Sequence, residues 1–266
     1  MQPAIQLRNV SKRFLTPAGT VYTALRDLTF EVGEGEFCAV VGPTGCGKST
    51  TLGLISGLEP ASEGEVQVHG RPVSGIADGI GYVFQTDAVF PWKSVLENVA
   101  AGPRYHGASP KEARERARDW IARVGLAGFE DRYPHQLSGG MRKRVALAQR
   151  LINGPRILPM AEPSSALDVQ TRSLLQDVLP ALWSPPAASV VFSPPARARG
   201  TAMSDRVVVL TAGPGSIKGV YAVDLPRPRK VNEIRFDPKF SHIYEEIWSD
   251  LREEVVVSYE RAKRAG

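Results

Sequence analysis

Two features are scarce in this sequence: cysteine, which occurs only as Cys38 and Cys46, and long runs of apolar residues. One cysteine lies in a predicted strand and the other in a glycine-rich loop, which argues against the disulfide framework of a small secreted protein. A helix that spans a bilayer needs about 20 consecutive apolar residues, and no stretch approaches that length. The N-terminal sequence MQPAIQLRNVSKRF also lacks the apolar core of a signal peptide. We therefore expect a soluble chain in a reducing compartment, which reaches a membrane only through a partner protein.

The composition is that of an ordinary globular protein. Of the 266 residues, 42% are hydrophobic and 23% are charged, a balance that allows a sizeable core and indicates neither disorder nor a coiled coil. The formal net charge of +5 suits a protein beside an anionic membrane, or one that binds polyanions such as nucleotides. Many proteins with neither partner are equally basic, so the charge alone assigns no function.

The pattern of apolar residues predicts an α/β protein. Residues 37–41 are continuously apolar and end in a glycine-rich loop, which is typical of a buried strand that leads into a helix. Period-two alternation or short apolar runs predict further strands at 4–10, 28–32, 65–69, 80–84, 156–160, 189–193 and 206–210. Helical spacing dominates about residues 86–155 and a charged tail at about 235–264. We predict one domain over residues 1–266 that includes a helical subdomain and a C-terminal helical tail.

A glycine-rich segment matches the phosphate-loop motif G-x-x-x-x-G-K-[ST] in full. Glycines let such a loop turn its backbone N–H groups inward around phosphate oxygens. We expect Lys48 to contact the β- and γ-phosphates, Ser49 to bind Mg²⁺, and the following helix to present its positive N-terminal end. A chance glycine turn is the alternative, but this motif follows a predicted buried strand and opens a helix. The predicted ATP-binding residues of this loop are Gly42, Pro43, Thr44, Gly45, Cys46, Gly47, Lys48, Ser49 and Thr50.

Further motifs resemble those of the ATP-binding cassette (ABC) ATPases. The segment Leu137–Met141, LSGGM, resembles the LSGGQ signature with Met in place of Gln. Gln85 resembles the Q-loop glutamine, which is also a candidate Mg²⁺ ligand, and Asp168 in the sequence SALD resembles the D-loop aspartate. Phe14 lies where the family keeps an aromatic residue that stacks on adenine. These motifs occur in the family's order over roughly residues 4–225, which makes the resemblance specific.

The resemblance implies a fold and a set of partners. The fold would be the ABC type of P-loop NTPase, with a RecA-like core, an antiparallel β subdomain and a helical subdomain. Two cassettes of this family pair head to tail, so Ser138, Gly139 and Gly140 would face the γ-phosphate of ATP held by the other subunit. The implied partners are a second cassette, transmembrane permease subunits and, indirectly, a periplasmic or lipoprotein substrate-binding protein. No nucleic-acid partner is implied, and the location would be the cytoplasmic face of the inner membrane.

Within the family, several segments look like the importers of nitrate, sulfonate, taurine and related small anions. They are Gly42–Cys46, Ser138–Arg142, Asp205–Thr211 and Pro214–Gly215. The predicted function is therefore the ATP-binding and ATP-hydrolysing subunit of an importer for a small anion such as nitrate, sulfonate, taurine or bicarbonate. Two alternatives stay open: a catalytically weakened cassette with a structural role, and a non-transport ABC ATPase. Residues 86–101 are interpreted either as a socket for the permease or as core of the helical subdomain.

The sequence departs from the family where hydrolysis is expected. The strand before the D-loop should end in Asp-Glu, the Asp for the Mg²⁺ shell and the Glu to polarise the attacking water. Glu162 occupies the catalytic position, and with Gln85 and Lys48 it forms the predicted catalytic set, but Ala161 stands in place of the Asp. An alanine side chain offers no oxygen to a metal. We therefore expect weak intrinsic hydrolysis.

Two prolines add to this departure. Pro195 stands where the family has a switch histidine, and Pro159 lies inside a predicted central strand, where it removes one ladder hydrogen bond. Three explanations are open for the region. The cassette binds ATP and hydrolyses it poorly, or the substitutions were introduced to trap a bound state, or the sequence over 159–202 contains errors.

Overall fold

The structure is a computed structural model that describes residues 2–161, 188–194, 197–226, 229, 234 and 237–265. It divides into two compact units, one formed by Met1–Asp78 with Ser189–Gly266 and the other by Gly79–Ala188. Three predicted site positions, Glu162, Asp168 and Pro195, lie outside the described residues. Whether the whole chain is one domain stays a prediction.

An antiparallel sheet opens the first unit. Its strands are β1 (Ile5–Leu15), β2 (Val21–Val32), β4 (Glu63–Val68) and β5 (Arg71–Pro72), in the order β2-β1-β4-β5. The predicted strand at 28–32 is only the second half of β2, which extends back to Val21. The first half does not show the alternation of a half-buried strand, because its apolar Val21 and Tyr22 are exposed. The strand is also irregular at Asp27, which has a positive φ of 49° where the β1–β2 register shifts.

The same unit contains a second, mostly parallel set of strands. These are β3 (Phe37–Val41), β7 (Ser189–Ser193), β8 (Arg206–Leu210) and β9 (Ile217–Ala222), with neighbours in the order β7-β3-β8-β9. Strand β3 is buried along its whole length and runs parallel to β7 and β8, as its apolar sequence predicts. Strand β9 pairs antiparallel with β8 and was not predicted, because none of its side chains is fully buried.

The described residues of the first unit also form three helices. Helix α1 (Lys48–Ser56) follows β3, α5 (Arg197–Met203) precedes β8, and α6 (Pro238–Ala265) forms the predicted C-terminal tail. The helical spacing of the tail is confirmed, since Phe240, Ile247 and Leu251 are buried. None of the helices in the described part of the chain is both long and apolar enough to cross a bilayer.

The second unit is largely helical, with α2 (Val95–Tyr105), α3 (Pro110–Arg123), a 3₁₀ turn (Pro134–Gln136) and α4 (Gly139–Leu151). Serine hydroxyls cap all three α-helices: Ser94, Ser109 and Ser138 each accept a hydrogen bond from the backbone N–H three residues later. Apolar faces of these helices share one core, which includes Val95, Val99, Ala113, Ala117, Ile121, Leu126, Val145 and Ala148.

Strand β6 (Ile157–Ala161) shows the effect of Pro159 on its ladder. The backbone N–H groups of Ile157 and Ala161 donate to Gly79 and Val83, while Gly81 and Val83 donate back to β6. Between these bonds, the ladder would need an N–H at position 159 that donates to the carbonyl of Gly81. Proline has no N–H, so this bond is missing. The strand predicted at 80–84 is therefore wrong as a continuous element: two isolated parallel bridges, at Ile80 and Val83, take its place.

Candidate nucleotide site

The loop between β3 and α1 adopts the backbone geometry that its glycines predict. Gly45 and Gly47 have φ values of 80° and 93°, in the left-handed region that other residues rarely adopt. Gly47 is also the N-cap of α1, and a Cβ at this position would lie 2.4 Å from the Cδ2 atom of Leu25. Glycine is therefore required at Gly47 for two independent reasons, backbone conformation and lack of space.

The side chain of Lys48 lies inside this loop. Its Nζ donates to the carbonyl oxygens of Gly42 at 3.0 Å and Pro43 at 2.8 Å, and it lies 3.8 Å from the Sγ of Cys46. The first turn of α1, which is described completely, carries no acidic side chain. The ammonium group and the positive end of the helix thus lie close together, an arrangement that favours an anion.

Exposure separates the loop residues that a ligand can reach from those that it cannot. Thr44, Gly45 and Ser49 are exposed, whereas the side chains of Pro43 and Cys46 are buried. Burial raises the pKa of the Cys46 thiol, an effect that the nearby Lys48 opposes. The thiol is therefore neutral at physiological pH, and any contact of Cys46 with a phosphate is through its backbone.

Phe14, the candidate adenine contact, lies near the end of β1 and is half-buried. The Nζ of Lys12 lies over its ring, 4.7 Å from the centroid. That ammonium is also 2.9 Å from a carboxylate oxygen of Glu59 and donates to the carbonyl of Pro60 at 2.9 Å. Sequence reasoning missed Lys12, whose position two residues before Phe14 on the same face of a strand was the available signal.

The signature segment lies at the start of α4 in the second unit. The Oγ of Ser138 accepts from the N–H of Met141 at 3.3 Å, and Ser138 and Gly139 are exposed. Positively charged Arg142 and Lys143 follow in the same turn, and no acidic residue stands in this described turn. This helix end also has the charge and the free N–H groups that suit an anion.

An ion pair joins the signature helix to the segment that follows Gln85. The Nε of Arg142 donates to the Oδ2 of Asp87 at 2.6 Å, and its NH1 donates to the carbonyl of Leu137 at 2.9 Å. One arginine therefore contacts both the Q-loop segment and the residue before Ser138. Sequence reasoning did not predict the contact between Asp87 and Arg142, because a pair separated by 55 positions leaves no periodic signal.

At the end of β6 the structure places Ala161, whose methyl group is 6% exposed. It cannot supply the carboxylate oxygen that Mg²⁺ commonly receives from a protein. Among the described residues there is no group of three or more His, Cys, Asp or Glu side chains that could hold a metal ion. Of the predicted metal ligands, Ser49 in the first unit and Gln85 in the second remain as oxygen donors.

Comparison with known proteins decides the family. Residues 25–165 match the family model described as ABC transporter. An uncharacterised ABC transporter ATP-binding protein of Methanocaldococcus jannaschii is 44% identical over 236 residues, which are 89% of this chain and 88% of that protein. This chain belongs to the ABC transporter ATP-binding family. The aliphatic sulfonates import ATP-binding protein SsuB of a Bacillus cereus strain is 38% identical over 232 residues, 87% of this chain and 91% of that protein.

Solved structures agree with this assignment. The dimeric ATP-binding cassette MJ0796, in a post-hydrolysis state bound to ADP and Pi, superposes with a TM-score of 0.74 at 30% identity. The match covers 84% of this chain and 100% of that one. The predicted family resemblance, the P-loop ABC fold and the enzyme class are thereby confirmed: the ABC cassette is an ATP-binding ATPase.

Proposed function

We propose that this ABC cassette energises the import of a small anion through a membrane permease. The observation that carries the proposal is its similarity over most of its length to SsuB, an aliphatic sulfonates import protein in Bacillus cereus. Sulfonate is accordingly the first candidate, followed by taurine, nitrate and bicarbonate. The cassette would act at the cytoplasmic face of the membrane, and a separate substrate-binding protein would select the anion.

The phosphate loop supports the ATP-binding half of this function. We assign the phosphates to Gly42–Thr50, where Thr44 and Gly45 are exposed and the ammonium group of Lys48 lies against the carbonyls of Gly42 and Pro43. In the nucleotide complex Lys48 would exchange its bonds to loop carbonyls for bonds to phosphate oxygens, which are charge-assisted and therefore stronger. Phe14 would stack on the adenine with the ring face that Lys12 leaves open.

Mg²⁺ would accompany ATP, because phosphates in such enzymes are held through a metal that neutralises their charge. Ser49 lies exposed in the first turn of α1 and fits the role of a ligand, as does the exposed side chain of Gln85. The position of Ala161 contributes no oxygen. Glu162 is the proposed base for the attacking water, on the sequence argument alone. We propose that hydrolysis is slow because Ala161 gives the metal no oxygen. The alternative of a catalytically weakened cassette with a structural role therefore stays open.

A second cassette would complete the site. The solved relative MJ0796 is a dimer bound to ADP and Pi. For this chain we propose the same kind of pairing, in which Ser138, Gly139 and Gly140 contact the nucleotide of the other subunit. The exposed, positively charged start of α4 supports such a contact. Asp168, in the D-loop motif, is a further proposed nucleotide-binding residue.

The permease would dock on the helical unit. A groove of about 560 Å³ is lined there by Trp92, Lys93, Glu97, Ala100, Ala101, Arg104, Tyr105, Pro110 and Arg114. Trp92 and Tyr105 are 70% and 75% exposed, and together they place two large aromatic surfaces on one groove, where a protein partner could cover them. Val95 and Val99 of the same segment are fully buried. We therefore use both interpretations of residues 86–101, for different residues: Val95 and Val99 belong to the core, and Trp92 is exposed for docking, with Tyr105 beyond the segment.

A reconstituted transporter tests the proposal. The tagged chain is purified from membranes of its own cells, and the co-purified complex is placed in liposomes with its substrate-binding protein. Phosphate release is then measured with an aliphatic sulfonate, taurine, nitrate or bicarbonate. Stimulation by one of these anions is the expected result. Purification with ribosomes or DNA instead of a permease, or the absence of stimulation by all four anions, would contradict the importer assignment.

A further inference from the structure

A short loop lies directly behind the phosphate loop. This backing loop, Thr211–Ser216, connects β8 to β9. Gly215 is fixed in it by two backbone hydrogen bonds, since its N–H donates to Ala24 and its carbonyl accepts from Arg26, both at 2.9 Å. A Cβ on Gly215 would lie 2.0 Å from the carbonyl oxygen of Cys46, so the two loops pack backbone against backbone.

Contacts continue along the part of the phosphate loop that precedes Cys46. A Cβ on Gly213 would lie 3.4 Å from the carbonyl oxygen of Gly45, and one on Gly42 would lie 3.1 Å from that of Leu210. The phosphate loop therefore faces the backbone of residues 210–215 at Gly42, Gly45 and Cys46. Displacement of the backing loop would remove the surface on which the phosphate loop rests.

The backing loop is closed by one of its own side chains. The Oγ1 of Thr211 accepts from the N–H of Ser216 at 2.9 Å and donates to the carbonyl of Pro214 at 3.1 Å. The Oγ of Ser216 reaches the carbonyl of Arg26 at 2.9 Å. These bonds set the shape of the loop but leave the peptide groups of Ala212 and Gly213 for another partner.

Helix α6 supplies that partner. A carboxylate oxygen of Glu254 accepts from the N–H of Ala212 at 2.7 Å, and the residue is only 9% exposed. The NH1 of Arg261, two turns later on the same helix, donates to the carbonyls of Ala212 and Gly213. A buried carboxylate on a backbone N–H is a charge-assisted bond, among the stronger hydrogen bonds in proteins.

Other contacts of α6 hold the helix in place without touching the backing loop. Buried Phe240, Ile247 and Leu251 anchor it, and Tyr221 on β9 donates to Asp250 at 2.6 Å. Lys218 pairs with Glu253 at 2.9 Å and with Glu254 at 3.4 Å. Glu253 and Glu254 thus pair with the same lysine, but of these two glutamates Glu254 also contacts the backing loop. Substitutions of Glu253 and Glu254 can therefore be compared to separate the contact with the backing loop from the contact with Lys218.

We propose that Glu254 and Arg261 are positioning residues for nucleotide binding, which act through the backing loop on the phosphate loop. They touch neither ATP nor the reacting atoms. By holding the peptide groups of Ala212 and Gly213, they keep the backing loop against Gly45 and Cys46 in the shape that binds phosphates. The C-terminal helix is in this account a support of the nucleotide site. The inference depends on the assignment of Gly42–Thr50 as the phosphate loop.

Titration of the full-length chain with Mg-ATP tests this inference, with thermal unfolding measured in parallel. E254A is expected to bind ATP about tenfold more weakly, a loss equivalent to about 1.4 kcal/mol. E254Q retains an oxygen that accepts from Ala212 and should recover most of the affinity. E253A removes only the exposed partner of Lys218 and should bind like the unmodified chain. An unchanged dissociation constant for E254A, with only a lower melting temperature, would overturn the proposal.

Two further variants keep the proposal testable if E254A fails to fold. R261A alters an exposed side chain and should still weaken ATP binding, by about threefold, since it leaves the buried Glu254 bond intact. K48A checks the site assignment itself. Loss of binding in K48A with full binding in E254A and R261A overturns the positioning role alone, whereas full binding in K48A overturns the assignment of the phosphate loop.

Discussion

The phosphate loop follows β3 and the candidate hydrolysis residues follow β6, and these two strands are built very differently. Strand β3 is continuous, fully buried and paired on both sides, and it leads into a loop in which each motif residue is present. Strand β6 is paired with residues 79–83 by a ladder that Pro159 interrupts, and it ends in Ala161. We propose from this difference that the parts for binding ATP and for hydrolysing it have diverged separately in this cassette.

The largest effect is expected from K48A, which removes the cation at the centre of the phosphate loop. Loss of charge-assisted bonds to phosphate should cost about 3 kcal/mol or more and weaken ATP binding by at least about a hundredfold. Isothermal titration with Mg-ATP measures this loss. The exposed Lys111 at the start of α3 provides the control K111A, and equal affinities for the two variants would contradict the binding half of the comparison.

Substitution of Gly47 should also damage the phosphate loop severely. In G47A the new methyl group would overlap Leu25 at 2.4 Å while the backbone keeps an unfavourable φ of 93°. Two costs should together lower the free energy of unfolding: left-handed backbone strain of about 1–2 kcal/mol and a packing cost of about 1–3 kcal/mol. Denaturant titration measures the loss. G45A has a similar φ of 80° but open space around its Cβ, so it should show the strain alone. Equal losses of stability in the two variants would contradict the packing argument.

A smaller and opposite effect is expected at β6. P159V restores an N–H that can donate to Gly81 and keeps the position apolar, so it should stabilise the chain by about 1 kcal/mol. Denaturant unfolding measures the change. P155V, at a proline that precedes β6, serves as the control and should bring no such gain. Destabilisation by P159V would show that the proline is required by its surroundings.

The smallest effect on stability is expected at the ion pair of Asp87 and Arg142. Their side chains are 27% and 35% exposed, so D87N should change the unfolding free energy by only about 0.5–1 kcal/mol. ATPase activity should fall about threefold, because Arg142 loses one of the two contacts that orient it beside Ser138. D119N, which changes an exposed carboxylate of α3 outside the signature, is the control. Unaltered ATPase activity in D87N would show that the ion pair of Asp87 and Arg142 has no role in the site.

How far the sequence predicts this structure depends on the range of the interactions. Strand β3, the glycine turn that leads into α1 and the apolar face of α6 follow from neighbouring residues, and each has the predicted structure. The first half of β2 and all of β9 pair with β1 and β8, and their own sequences show no clear alternation of apolar and polar residues. Such strands are specified by their partners, which no local pattern reveals.

The candidate site divides in the same way. The motif residues of the phosphate loop and the signature were evident from local sequence, whereas Glu254 was not, because its partner Ala212 lies 42 positions away. The contact between Asp87 and Arg142 was missed for the same reason. The effect of Pro159 was foreseen correctly as a lost ladder bond, but not its consequence, the reduction of the 80–84 strand to two bridges.

The central claim is that this cassette retains ATP binding and has weakened hydrolysis because β6 ends in alanine. Phosphate release under saturating Mg-ATP, measured for the unmodified chain, for A161D and for A161D combined with P195H, tests it most directly. The account predicts slow release by the unmodified chain, a rise of about tenfold or more with A161D, and a further rise with P195H, at similar ATP affinity. Rapid release by the unmodified chain, with no gain from either substitution, would contradict it.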